Sequence, residues 1–148
     1  MSEHRVQLSW ERGGVDFRYE TYPRDHRWRF AGGVEVPASA APDFRGDAKR
    51  VDPEAAFVAA LSSCHMLTFL AIASRKRLVV DSYENDAIGY LEKNEAGKLA
   101  MTRVVLRPRV AFAGAAPSAE TVADLHERAH RECFIANSVR TDVSVQAR

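Results

Sequence analysis

At 148 residues the chain is long enough for one domain that buries its own core without metal or disulfide staples. Its 46% apolar and 28% charged residues are those of a soluble globular protein, near neither the disordered nor the membrane extreme. With 21 basic against 20 acidic residues it has no field to gather nucleic acid or an anionic membrane surface, so neither is expected as a partner.

The opening MSEHRVQLSW lacks the charged n-region and apolar h-region of a secretory signal, which places the chain in the cytoplasm as an expectation. In that reducing compartment its two cysteines are expected to be reactive, metal-binding or plainly buried, not a permanent bridge. From Val6 to Val36 the pattern predicts an antiparallel meander: VQLSW, VDFRYETY and RWRFAGGVEV, with Gly13-Gly14 and Pro23-Arg24-Asp25 as turns. Residues 37 to 51, PASAAPDFRGDAKRV, have no period and read as a connecting loop long enough to be functional.

Asp52-Pro53-Glu54 is a helix start: a capping aspartate, proline at the first helical position and an acid in the first turn. The helix is predicted to run to about Arg75, where Arg75-Lys76-Arg77 sets cations at the C-terminal dipole. Its body, AAFVAALSSCHMLTFLAIA, is apolar nearly all round, which predicts burial on most faces. The length matches a membrane span, but Ser62, Ser63, His65 and Thr68 near its middle, and strand-rich flanks, favour a core helix. Beyond it, Leu78 to Glu92 and Leu99 to Phe112 read as a hairpin of two long strands about Lys93-Asn94-Glu95-Ala96-Gly97. Pro117-Ser118 opens a second helix, SAETVADLHERAHRECF, with Val122, Leu125, Ala129 and Cys133 on one inward stripe. A last strand is expected over Val139 to Val145, and the whole of 1–148 is expected to be one α+β domain.

Cys64 and Cys133 are the residues that carry chemistry. Free cysteine is among the most buried residue types and could simply fill space. But Cys64 is followed by a histidine, and two inward-facing cysteines on packed helices could meet. A reactive cysteine works as its thiolate, favoured by a helix N-terminus or a cation. Cys64 lies about 16 Å into its helix, too far for the dipole, so a cation is needed. Arg24 and Arg45 lie in segments that could cover the helix.

DPEAAFVAALSSC resembles the helix-opening signature of the OsmC/Ohr peroxidases, an N-P-E-x-L segment with a peroxidatic cysteine ten residues after the glutamate, a spacing kept by Glu54 and Cys64. AHRECFIANSV resembles the family's second cysteine motif around Cys133. The resemblance implies an α+β fold with antiparallel sheets wrapped around two central helices in an intertwined homodimer. It further implies that Cys64 attacks an organic hydroperoxide and becomes a sulfenic acid, that Cys133 resolves it as a disulfide, and that a dithiol reductant restores both thiols, without metal, flavin or other cofactor. In the family an arginine stabilises the thiolate and pairs with the glutamate, here Glu54. Arg24, in P-R-D-H, partly matches the Ohr-type position, and Arg45, seven residues before Asp52, matches the OsmC-type one. Because Glu54 and Cys64 stand about 15 Å apart on one helix, a site using both would draw Glu54 from a second chain. Three residues depart from the family pattern: Phe134 for proline, His65 for phenylalanine and Asp52 for asparagine.

Two rival readings come from the residues alone. His126, His130 and Cys133, with Cys64, could make a four-ligand zinc site, although the two histidines flank the apolar stripe and read as exposed. Trp10, Trp28, Phe30 and Tyr22 could line a pocket for an apolar ligand in a binding module without chemistry.

Overall fold

The structure, a computed structural model, describes residues 1–148. By its internal contacts the chain divides into two compact units, Met1–Ala56 and Phe57–Arg148. It holds eight strands and two α-helices, an α+β architecture.

In the first unit β1 (Val6–Ser9), β2 (His26–Phe30) and β3 (Glu35–Ala38) form an antiparallel sheet, paired Val6↔Phe30 and Trp28↔Val36. Glu35 holds it across the ladder, accepting from Arg29 Nε at 2.7 Å and facing Arg27 at 3.4 Å. VDFRYETY, expected as a strand, is not one. Its polar groups bond locally: Thr21 and Tyr22 both donate their backbone N–H to the Arg18 carbonyl at 3.0 Å, and the Thr21 hydroxyl donates to the Asp16 carbonyl at 2.8 Å. Two of its aromatics cluster with Trp10, with Phe17 and Tyr22 5.3 Å apart and Trp10 5.9 Å from Phe17. A segment whose side chains gather on one side cannot keep the period-2 alternation of a strand.

The loop after β3 is pinned by Ser39, which is fully buried. Its hydroxyl donates to Asp25 at 2.9 Å and accepts the Asp47 N–H at 3.0 Å, while Arg50 bridges to Asp25 at 3.0 Å. Gly46 lies so close to this turn that a Cβ would fall 1.5 Å from the Ala40 carbonyl oxygen. Backbone cannot withdraw as a side chain can, so Gly46→Ala is expected to lower stability by at least about 2 kcal/mol in urea unfolding.

α1 (Pro53–Arg75) begins as its sequence predicts: Asp52 Oδ1 accepts the Ala55 N–H at 2.7 Å, with Pro53 first and Glu54 in the first turn. It ends where Arg77 takes a left-handed φ of 59°. It is long and apolar enough to cross a membrane by length and composition, yet only 22% of its most apolar stretch is buried. Burial on most faces is therefore a correction. One stripe, Leu61, His65, Phe69, Ile72 and Ala73, is covered, while Ala59, Ser63, Leu67 and Ala71 face outward. The chain supplies cover for one face of a helix that is apolar on all of them.

In the second unit the two long strands expected after α1 are four. β5 (Ile88–Lys93) and β6 (Leu99–Leu106) form the hairpin, and β4 (Val80–Asn85) pairs with β7 (Pro108–Phe112) in a separate sheet. The break is made by side chains: Asn85 accepts the Arg107 N–H at 2.7 Å and donates to Ser62 at 2.7 Å, Arg107 binds the Asp86 carbonyl at 3.0 Å, and Pro108 has no N–H to give. α2 (Ala119–Glu132) starts at the expected cap, Ser118, whose hydroxyl accepts the Thr121 N–H at 3.2 Å. The final strand, β8 (Asp142–Val145), starts later than Val139 and pairs with β6 in parallel, so the sheets are not all antiparallel. Phe69, Ile72, Ala73, Leu125 and Ala129 form one core cluster between α1 and α2, and Leu61, Val104, Leu106 and Val143 form a second.

Candidate active site

Cys64 sits mid-way along α1, half-buried, its carbonyl accepting the Thr68 hydroxyl at 2.8 Å. Cys133 lies just past α2, not within it: it is the C-cap, with φ −69° and ψ 114°, and it is 1% exposed. Its N–H donates to the His130 carbonyl at 3.3 Å, and its sulfur accepts the Ala136 N–H at 3.5 Å. The inward stripe of α2 thus continues into the cap and delivers the sulfur to the interior. There the Cys64 side chain is a neighbour of the Cys133 thiol. Burial above all, with the neighbouring Cys64 thiol second, pushes the Cys133 thiol up to about 11, so Cys133 is held protonated. Both sulfurs are free thiols. Phe134, at the family's proline position, turns its ring outward, 80% exposed.

Beside the thiols lies a pair that sequence reasoning missed. His65 Nε2 and His126 Nδ1 are hydrogen-bonded at 3.1 Å, with both side chains buried. The ring planes are 8° from parallel and the centroids 5.4 Å apart, a join through the ring edges; Phe69 covers His126 at 4.4 Å. Burial holds His65 down to about 4, with His126 and His130 as like-charge neighbours, and burial alone does the same to His126. Burial likewise raises the Tyr83 phenol. The far nitrogens, His65 Nδ1 and His126 Nε2, have no partner, nor do Tyr83 OH and His130 Nδ1. Periodicity placed His126 at the edge of the stripe and read it as exposed; the bond to His65 brings it inside. The only signal was His65 itself, a polar residue on an apolar helix.

The proposed cations lie in the first unit. Arg24 donates to the Tyr19 and Tyr22 carbonyls at 2.5 Å and lies 3.6 Å over the Tyr22 ring. Arg45, in a left-handed conformation with φ 65°, lies 5.6 Å over the Tyr19 ring, which Arg24 also faces at 4.9 Å. The two candidates therefore converge on one tyrosine. Glu54 Oε2, in the first turn of α1, is buried with no hydrogen-bond partner.

The rival sites fare differently. No three His, Cys, Asp or Glu side chains gather so as to hold a metal ion, so the suggested Cys64, His126, His130 and Cys133 ligand set is not assembled. His126 Nδ1, one of its donors, is engaged by His65. Of the four aromatics, Trp10 and Tyr22 do line an apolar cavity of about 380 Å³, with Phe17, Pro23 and Arg24. Trp28 instead packs near His26 at 6.0 Å, and Phe30 is exposed.

Known proteins share the fold that carries this site. Residues 46–148 match the family model described as OsmC-like protein. An OsmC-like protein of unknown function from Vibrio cholerae is 46% identical over the whole of both chains, with a TM-score of 0.96. Organic hydroperoxide resistance proteins from Elizabethkingia anophelis and Bacillus subtilis share the fold at 18% and 17% identity. Their TM-scores are 0.74 and 0.72, over 99% of this chain and 94% and 98% of theirs. No curated protein sequence matches significantly. The α+β fold expected from the cysteine motifs is the one these structures share, and the match covers both cysteines: the chain belongs to the OsmC-like family.

Proposed function

We propose that this protein is a cysteine-dependent peroxidase acting on organic hydroperoxides. The observation that carries the reading is a half-exposed thiol, Cys64, with a buried one, Cys133, as its neighbour. Cys64 can receive a peroxide; Cys133 is too enclosed to do so. The Cys64 thiolate attacks one peroxide oxygen, the O–O bond breaks, and the departing alkoxide takes a proton to leave as an alcohol. Cys64 then carries the hydroxyl as a sulfenic acid. The Cys133 sulfur attacks Cys64, the S–O bond breaks, and the hydroxyl leaves as water with the Cys133 proton. A dithiol supplies the two electrons that reopen the disulfide by exchange.

The cationic support is assigned to Arg24 or Arg45, with Glu54 as its carboxylate partner, in a homodimer whose sites draw on both chains and which works in the cytoplasm. A buried carboxylate oxygen without a partner supports a missing cation for Glu54. Removing the activating arginine is expected to slow alkylation of Cys64 at neutral pH about tenfold; unchanged rates for both Arg24→Ala and Arg45→Ala remove them as activators. The reading as a whole is tested by adding one equivalent of an organic hydroperoxide and mapping peptides. A Cys64–Cys133 disulfide is expected, and two free thiols would sink the mechanism. The cavity at Trp10, Phe17 and Tyr22 favours a second reading, a binding module without chemistry. That reading gains if Cys64→Ser leaves peroxide consumption unchanged.

A further inference from the structure

The two thiols are carried by α1 and by the cap of α2, and the directional contact buried between these helices is the 3.1 Å bond from His65 to His126. His65 follows Cys64 directly, and Cys133 lies seven residues, two turns, beyond His126 on the same side of its helix. The histidine bond therefore joins the same two elements that carry the thiols. The surrounding contacts, Phe69, Ile72 and Ala73 against Leu125 and Ala129, are apolar and non-directional. They tolerate a small slide of one helix along the other. A slip of one residue moves a side chain by about 1.5 Å, and disulfide formation tolerates little misplacement. A nitrogen-to-nitrogen bond between ring edges does not tolerate such a slide.

The pair has no other visible purpose in the fold. In either tautomeric arrangement, one outer nitrogen bears an N–H and the other a lone pair, and both outer atoms are buried without partners. Two imidazoles that bond only to each other cost desolvation that a pair of apolar residues would not. Buried polar pairs of that kind are best attested as devices that fix register. We propose that the His65–His126 bond is a positioning device, setting α1 against α2 so that Cys64 and Cys133 meet in disulfide geometry. This rests on reading the two cysteines as a redox couple.

The test measures that couple without peroxide. The full-length protein is equilibrated in glutathione redox buffers, and the fraction with a Cys64–Cys133 disulfide gives the effective concentration of one thiol at the other. His65→Phe keeps burial and removes the bond; its effective concentration is expected to fall about five- to tenfold, the worth of one oriented hydrogen bond. His65→Gln, whose amide can occupy the place of Nε2, is expected to recover to within about twofold of the parent. His126→Phe deletes the bond from the other side and serves should His65→Phe not fold. Urea unfolding of the reduced proteins is measured in parallel. A change in the unfolding midpoint with an unchanged effective concentration overturns the proposal, as does a loss that glutamine fails to restore. A parent chain that forms no such disulfide overturns it as well. A parent chain that forms the disulfide but consumes no hydroperoxide refutes the peroxidase reading and leaves the positioning role standing.

Discussion

Replacing Cys64 by serine is expected to reduce hydroperoxide turnover by about a thousandfold or more, the scale on which nucleophile removal acts. Replacing Cys133 is expected to do something different. Because Cys133 is buried and protonated, and Cys64 is the thiol with access to solvent, Cys133→Ser should keep the rate of the first oxidation to within about twofold and halt there. A sulfenic acid on Cys64 should then accumulate at one per chain, trapped by a carbon nucleophile and read by mass. Further peroxide should carry it to the sulfinic acid, because the resolving thiol is missing. Turnover that survives Cys64→Ser, or an equal loss of the first oxidation in both variants, would overturn the division of labour between the cysteines.

Acidification is expected to destabilise the reduced protein well before the carboxylates titrate fully. His65 and His126 are each held near 4 in the folded state, against about 6.5 for a free imidazole. Between those values the unfolded chain binds protons that the folded chain refuses, so stability rises with pH across this window and is lost as pH falls from about 6.5 towards 4. The two rings share one bond and cannot be treated as independent, so the expected loss between pH 7 and pH 4.5 is on the order of 3 kcal/mol. Urea unfolding at the two pH values measures it. Replacing both histidines by phenylalanine is expected to flatten the dependence in that window. An unchanged slope in the double variant would assign the acid sensitivity to other groups.

The helices were the most legible part of this sequence. Asp52-Pro53-Glu54 and Ser118 act locally, through caps that depend on neighbouring backbone alone, and both starts are where the sequence puts them. The end of α2 was less clear, because the apolar stripe runs on into Cys133 while the helix stops at Glu132. The strands were legible as extended runs but not in their partners. That β8 lies parallel to β6, and that Asn85 and Arg107 break two strands into four, depend on residues distant in sequence. VDFRYETY misled because its aromatics are spent on a local cluster and its hydroxyl on a turn. At the candidate site the inward course of Cys133 could be read from spacing. The His65–His126 bond could not, since it joins two helices through one atom on each.

The strand order also ranks the pairings by the loop each must close. The β5–β6 hairpin closes over a short turn, and the β4–β7 pairing encloses it. β8 must travel back across the whole of α2 to lie beside β6, the pairing with the greatest closure entropy in this unit. Cys133 lies between α2 and β8, so its sulfur is seated only with these last elements. Cys64, by contrast, is on a helix that can form early. A chain caught by oxidant while still folding therefore offers a nucleophile with no resolver beside it, and refolding in the presence of peroxide should give sulfinic acid on Cys64 where the native protein gives a disulfide.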